Sequence, residues 1–261
     1  MGAAQWLLES TLWFLGAPVR AARWLIQRRQ PLRPSVAFED LGADILALVV
    51  SQLPPESAFM LSGLSRKLRI ALNPTLFRAV RWAPLRHGFP PDALWPYIQI
   101  LVLAGDMHTK RGEETRMDLD YAAITADAKE GIPRLPAVHS LQLTQTVHGG
   151  LWPELFDVLS MVPTLTRLYL QANWFSPRRQ TTFELHSVRT NLKYVEYPFS
   201  YPRPMTRRNL QMLHVEGSNL RQLLKGCRPT LEGVTIPGEL VFRAMDYSQP
   251  WSALREITLA G

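Results

Sequence analysis

Over the C-terminal two-thirds of the chain, apolar residues recur in the order L-x-x-L-x-L, with Ile, Val or an aromatic standing in at some positions. The copies are Ile98-Leu101-Leu103, Val138-Leu141-Leu143, Leu165-Leu168-Leu170, Leu192-Val195-Tyr197, Leu210-Leu213-Val215, Leu231-Val234-Ile236 and Leu254-Ile257-Leu259, and Phe77-Val80-Trp82 reads as a forerunner. From Val80 onward the central residues step by 21, 40, 27, 27, 18, 21 and 23, close to the ~20–29 residues of one strand-and-return unit. Each copy predicts a short strand whose alternate residues are buried only when neighbouring units stack. The long step holds an insertion at 105–131, with a surface helix expected over Leu119–Ala128. Further helices are expected at Pro153–Met161 and Asn219–Gly226, and Tyr197–Pro204 reads as an irregular loop.

The positions between the apolar ones are predicted to face outward from the sheet. They are Ser140, Gln142 and Thr144; Arg167, Tyr169 and Gln171; Tyr194 and Glu196; Met212, His214 and Glu216; and Glu256 and Thr258. Such a polar face with aromatic anchors suits a protein partner. Arg167, Tyr169, Tyr194, Glu196 and His214 are the candidate contact residues.

The pattern differs upstream. Between Phe38 and Trp82, the four-residue steps Ile45-Val49-Leu53, with Leu46 and Val50 alongside, predict a helix that Asp40 and Asp44 favour at its start and Pro54-Pro55 ends. Glu56–Leu61 predicts a second helix with Pro55 in its first turn. Leu64, Leu68 and Leu72 make the stripe of a third, with Arg66, Lys67 and Arg69 outside it and Asn73-Pro74 as its stop.

This stretch resembles the F-box, the module that attaches substrate receptors to the Skp-type adaptor of cullin-RING ubiquitin ligases. The likeness rests on Leu41, Asp44, the Ile45/Val49/Leu53 stripe, Leu53-Pro54-Pro55, Leu61, Leu64 and the run Ser65-Arg66-Lys67-Leu68-Arg69. Gly42 stands where that family usually has proline. The repeats, in which Leu165–Asn173 fits the full L-x-x-L-x-L-x-x-N, resemble the irregular leucine-rich repeats that follow F-boxes in many fungal proteins. The resemblance implies a mixed α/β chain: a three-helix F-box bundle at 36–75, then an irregular repeat solenoid with a short parallel sheet at 76–261. It also implies adaptor contacts through Leu41, Gly42, Ile45, Leu46, Val49, Leu53, Leu61 and Leu64. The chain would then recruit a protein substrate and reach the cullin through the adaptor, in the cytoplasm or nucleus. The alternative is a repeat scaffold whose helical bundle is only an N-terminal cap, which Gly42 favours.

Residues 1–35 add an arm in which Leu8, Leu12, Leu15, Val19, Ala22 and Ile26 share a helical face, broken at Gly16-Ala17-Pro18. It reads as a helical arm docked on the rest of the protein; a membrane-surface role for residues 1–30 is the less favoured reading.

Composition narrows the remaining classes. Of 261 residues, 46% are apolar and 20% charged, which suits a folded chain rather than a disordered one. Lone Cys227 excludes an internal disulfide framework and a cysteine-built metal centre. The net charge of +7 comes mostly from arginine, but the basic stretches do not follow a nucleic-acid module, and no nucleic-acid partner is expected. No apolar run reaches the ~18 residues of a membrane span. His87, His108, His139, His148, His186 and His214 lack metal-ligand spacing, and no nucleophile or phosphate-loop motif is present. We therefore expect no catalysis, metal or cofactor.

Overall fold

The computed structural model describes residues 38–84, 88–104, 107–110, 113–116, 120–144, 153–171, 189–198 and 207–260. The N-terminal arm expected at 1–35 lies outside them, as does most of the expected loop at Tyr197–Pro204. The chain divides into two units, Met1–Leu46 and Ala47–Gly261, and the division falls inside helix α1 (Ala43–Ser51).

In the first unit, a 3-10 turn at Phe38–Asp40 leads to Gly42, whose carbonyl accepts the Leu46 N–H at 3.0 Å and so opens α1. In the second, α2 (Pro55–Ser62) follows Pro54, with Pro55 in the first turn where its missing N–H costs nothing. Helix α3 (Arg66–Leu76) is capped by Ser65, whose side chain accepts the Leu68 N–H at 3.1 Å. Contrary to the expected stop at Asn73-Pro74, α3 runs through Pro74 to Leu76. One lost bond near the helix end is tolerable because Phe77 N–H still closes on Asn73. Leu68 and Leu72 are buried as expected, but Leu64 precedes the helix and is 73% exposed.

The remainder is a mixture of helix and strand around a seven-stranded parallel sheet, ordered β1-β2-β5-β6-β7-β8-β9. Its members are β1 (Ala79–Trp82), β2 (Ile100–Ala104), β5 (Ser140–Thr144), β6 (Arg167–Leu170), β7 (Tyr194–Glu196), β8 (Gly233–Pro237) and β9 (Glu256–Ala260). The expected insertion carries an antiparallel hairpin, β3 (Met107–Lys110) with β4 (Glu113–Arg116), and helix α4 (Tyr121–Gly131). Asp120 caps α4 by accepting from Ala122 and Ala123 N–H. Helices α5 (Pro153–Met161), α6 (Arg207–Cys227) and α7 (Gly238–Ala244) complete the returns.

The central residues of the apolar pattern fall in register: Val80 opposite Leu101, Leu101 opposite Leu141, then Leu168, Val195, Val234 and Ile257. Leu101, Leu141, Leu168, Val195 and Val234 form one continuous core with Ile124, Phe156, Leu159, Leu220 and Leu224 from the helices, and Val80 packs against it half-buried. On β9 the equivalent side chains, Ile257 and Leu259, remain 50% and 63% exposed.

The copy at Leu210-Leu213-Val215 is not a strand. It lies inside α6, where Leu213, Leu220, Leu223, Leu224 and Cys227 are buried at three- and four-residue steps. An L-x-x-L spacing satisfies one helical face as well as it satisfies a strand entry, and here the helix continues for six turns' worth of such spacing. Residues 193 and 232 are therefore adjacent copies 39 positions apart.

A regular device joins the strands. The carbonyl of the first variable residue in each copy accepts two N–H groups from the next copy. Arg78 receives Gln99 and Ile100, Gln99 receives His139 and Ser140, His139 receives Thr166 and Arg167, and Thr166 receives Lys193 and Tyr194. Lys193 then receives Glu232 and Gly233, and Glu232 receives Arg255 and Glu256.

Candidate functional site

The face of the sheet opposite the helices carries the outward residues of β5, β6 and β7. Pairing sets Ser140 beside Arg167 and Arg167 beside Tyr194, and one pleat further along it sets Gln142 beside Tyr169 and Tyr169 beside Glu196. The expected contact residues Arg167, Tyr169, Tyr194 and Glu196 thus share one surface. The Arg167 guanidinium lies over the Tyr194 ring, 4.6 Å from its centroid, a cation–π contact. Tyr194 O–H donates to Glu232 at 3.1 Å, and Lys193 Nζ donates to the other Glu232 oxygen at 2.8 Å. The Lys193 bond, with the Tyr194 bond second, holds the Glu232 carboxyl below its ordinary range, and the same bond raises Lys193. Gly233 makes room for this arrangement, because a Cβ there would lie 2.9 Å from Tyr194 Cδ1.

Beside the cluster a groove of about 480 Å³ runs over the strand entries, lined by Arg78, His139, Gln142, Arg167, Tyr169 and Glu196 among others. Arg78, His139, Lys193 and Glu232 were missed as surface residues by strand alternation. All four occupy the first variable position of the repeat, and reading that column down the copies aligns them.

Four outward assignments need correction: Met212, His214 and Glu216 lie on α6, and Ser140 is buried. His214 belongs to α6 rather than to a strand, and its Nδ1 lies 3.2 Å from Arg243 Nη1, so it does not join the sheet-face cluster. Glu216, on the same helix, is buried and accepts from the buried Tyr197 hydroxyl, whose pKa burial pushes well up with help from the Glu216 charge. Ser140 is also buried, although its neighbours Gln142 and Thr144 are half-buried as sheet-face residues should be.

The residues expected to meet an adaptor divide three ways. Gly42, Ile45 and Leu64 are exposed, while Leu41, Val49, Leu53 and Leu61 are half-buried. Leu46 is 2% exposed and therefore out of reach of any partner. Leu48, Phe59, Met60 and Ile70, which the resemblance did not single out, are 57–73% exposed along with Leu64.

Among the described residues no group of three His, Cys, Asp or Glu side chains could hold a metal ion, and no helix is long and apolar enough to cross a membrane. Cys227 is buried, and burial pushes its thiol up to about 12. Comparison with protein-family models, curated proteins and solved structures returns no match.

Proposed function

We propose that this chain is a non-enzymatic recruiting subunit of a cullin-RING ubiquitin ligase. The F-box-like helices α1 to α3 dock on a Skp-type adaptor, and the sheet face of an irregular leucine-rich-repeat solenoid holds a protein substrate in the cytoplasm or nucleus. The observation that carries the first half is the exposure of Leu48, Phe59, Met60, Leu64 and Ile70 on and between three short helices. Burying each such side chain is worth about 1.5–3 kcal/mol, so apolar residues left out in this number suit a partner surface. The second half is supported by the in-register parallel sheet and its repeated carbonyl joint, which suit a stacked solenoid. Holding a substrate beside the ligase raises its effective concentration without chemistry by this chain.

The test is a pull-down of the purified chain with a Skp-type adaptor. Phe59→Ser with Leu64→Ser should abolish capture while leaving the thermal transition in place, since both side chains are already exposed. Gly42→Pro should strengthen capture, because a Cβ at Gly42 meets nothing within 4 Å. Absence of capture by the unaltered chain would refute the receptor reading. The second reading, a repeat scaffold with a helical cap, is favoured by Gly42 and by the burial of Leu46.

A further inference from the structure

The groove on the sheet face has a definite polarity. At one end, Arg78 and His139 occupy the entries of β1 and β5, which flank β2, so their backbones stand about 10 Å apart. Arg167 follows on β6, the next strand, and Glu196 closes the far end on β7. Gln142 and Tyr169 lie between, offering an amide and a phenol. Among the described residues, neither Arg78 nor Arg167 has a carboxylate within ion-pair distance; Arg167 instead rests on the Tyr194 ring. The nearby Glu232 is already engaged by Lys193 and Tyr194. The groove thus presents two fixed positive charges and an imidazole with no internal counter-charge at that end, and guanidinium forks match carboxylates bidentately.

We propose that this groove binds an acidic, extended segment of a partner protein, with Asp or Glu side chains placed over Arg78, His139 and Arg167. The inference rests on reading the sheet face as the substrate surface, and it names the substrate's chemistry. Five strands, β1, β2, β5, β6 and β7, span about 19 Å at about 4.8 Å each, which an extended segment of about six residues covers. Glu196 bears on the choice between carboxylates and phosphates. Repulsion from Glu196 grows with ligand charge and disfavours a doubly charged phosphate at the β7 end more than a single carboxylate, whereas a backbone N–H or a basic side chain suits that position.

Fluorescence anisotropy tests it with labelled decapeptides: one of alternating Glu and Ser, a Gln/Ser counterpart, and one carrying a single phosphoserine among neutral residues. The Glu peptide should bind at least about tenfold more tightly than the Gln peptide at low salt, with the preference shrinking as ionic strength rises. Arg78→Gln with Arg167→Gln should remove that preference, and so should Gln142→Glu, which leaves the Arg167–Tyr194 contact in place. Lys225→Gln, an exposed base on α6, should leave it unchanged. Equal binding of Glu and Gln peptides would overturn the proposal. So would an equal loss on Lys225→Gln, which would mark general attraction to a positive chain, and so would binding of the phosphoserine peptide alone. Capture by the adaptor is scored on the same variants and should persist, so a failed groove and a failed receptor reading give different results.

Discussion

Gly131→Ala is a substitution that helix propensity favours and packing forbids. Gly131 ends α4 with φ −86 and ψ −47, a backbone that alanine adopts freely. Replacing an interior helix glycine by alanine gains up to about 1 kcal/mol, less at a terminal position. The added carbon, however, would stand 2.4 Å from Phe89 Cε1, 2.5 Å from Cζ and 2.7 Å from Cδ1. Ordinary contact needs roughly another 1 Å. The Phe89 ring has little room to retreat, because it is set edge-on against Trp82 at 5.1 Å and Trp95 at 6.3 Å between centroids. Trp82 is 1% exposed and belongs to the core. Overpacking of this kind costs about 1–3 kcal/mol, so the net expectation is a loss of about 1–2 kcal/mol. Equilibrium urea denaturation followed by tryptophan fluorescence should show a lower midpoint with an unchanged slope. Adding Phe89→Leu should recover part of the loss, with a coupling of about 0.5 kcal/mol or more. A midpoint that is unchanged or higher in Gly131→Ala would refute the reasoning, since it would mean that the ring moves aside at no cost.

Two further outcomes follow from charge and burial. Asp246 accepts from Ser248 through both O–H and N–H and pairs with Arg228 at 2.8 Å, and these bonds hold its carboxyl well below the usual range. A depressed carboxyl stabilises the fold above its unfolded pKa of about 3.9 and loses that contribution as pH falls toward the folded value. Melting temperatures measured from pH 6 to pH 2 should fall steeply below about pH 4 in the unaltered chain and less steeply in Asp246→Asn, which should already melt lower at neutral pH; parallel curves would refute this. Cys227 is wholly buried with its thiol pushed up to about 12, so a thiol reagent at pH 8 should label it only at the rate of unfolding, accelerating with denaturant. Immediate labelling in native buffer would show that the α6 terminus opens freely.

The sheet was readable in advance wherever burial alone decided the matter. At Leu141, Leu168 and Val195 the apolar positions are enclosed by neighbours on both sides, so the one-dimensional pattern carries the answer. It failed at Leu210–Val215 because the same spacing serves a helix, and only the continuation through Leu220, Leu224 and Cys227 distinguishes the two. That misreading also placed His214 on the wrong element. Arg167, Tyr169, Tyr194 and Glu196 could be grouped from alternation, but the pairing of Lys193 with Glu232 spans 39 positions and needs the strand order. Leu46, expected at the adaptor surface, is buried while Leu64, expected there too, is exposed, because a helical stripe states which residues share a side, not which side is covered.

The repeated carbonyl joint turns the sheet into a measuring stick. Successive strands advance by one fixed increment of about 4.8 Å whether 21 or 40 residues separate their centres. Address on the outer face is therefore set by strand number and not by residue number. Lengthening or shortening a return segment should leave the spacing between Arg78, His139 and Arg167 untouched, while deleting one strand would close the gap by a whole increment and bring mismatched charges side by side. The loops are consequently free to vary in size, and the strand count is the quantity that a bound segment would register.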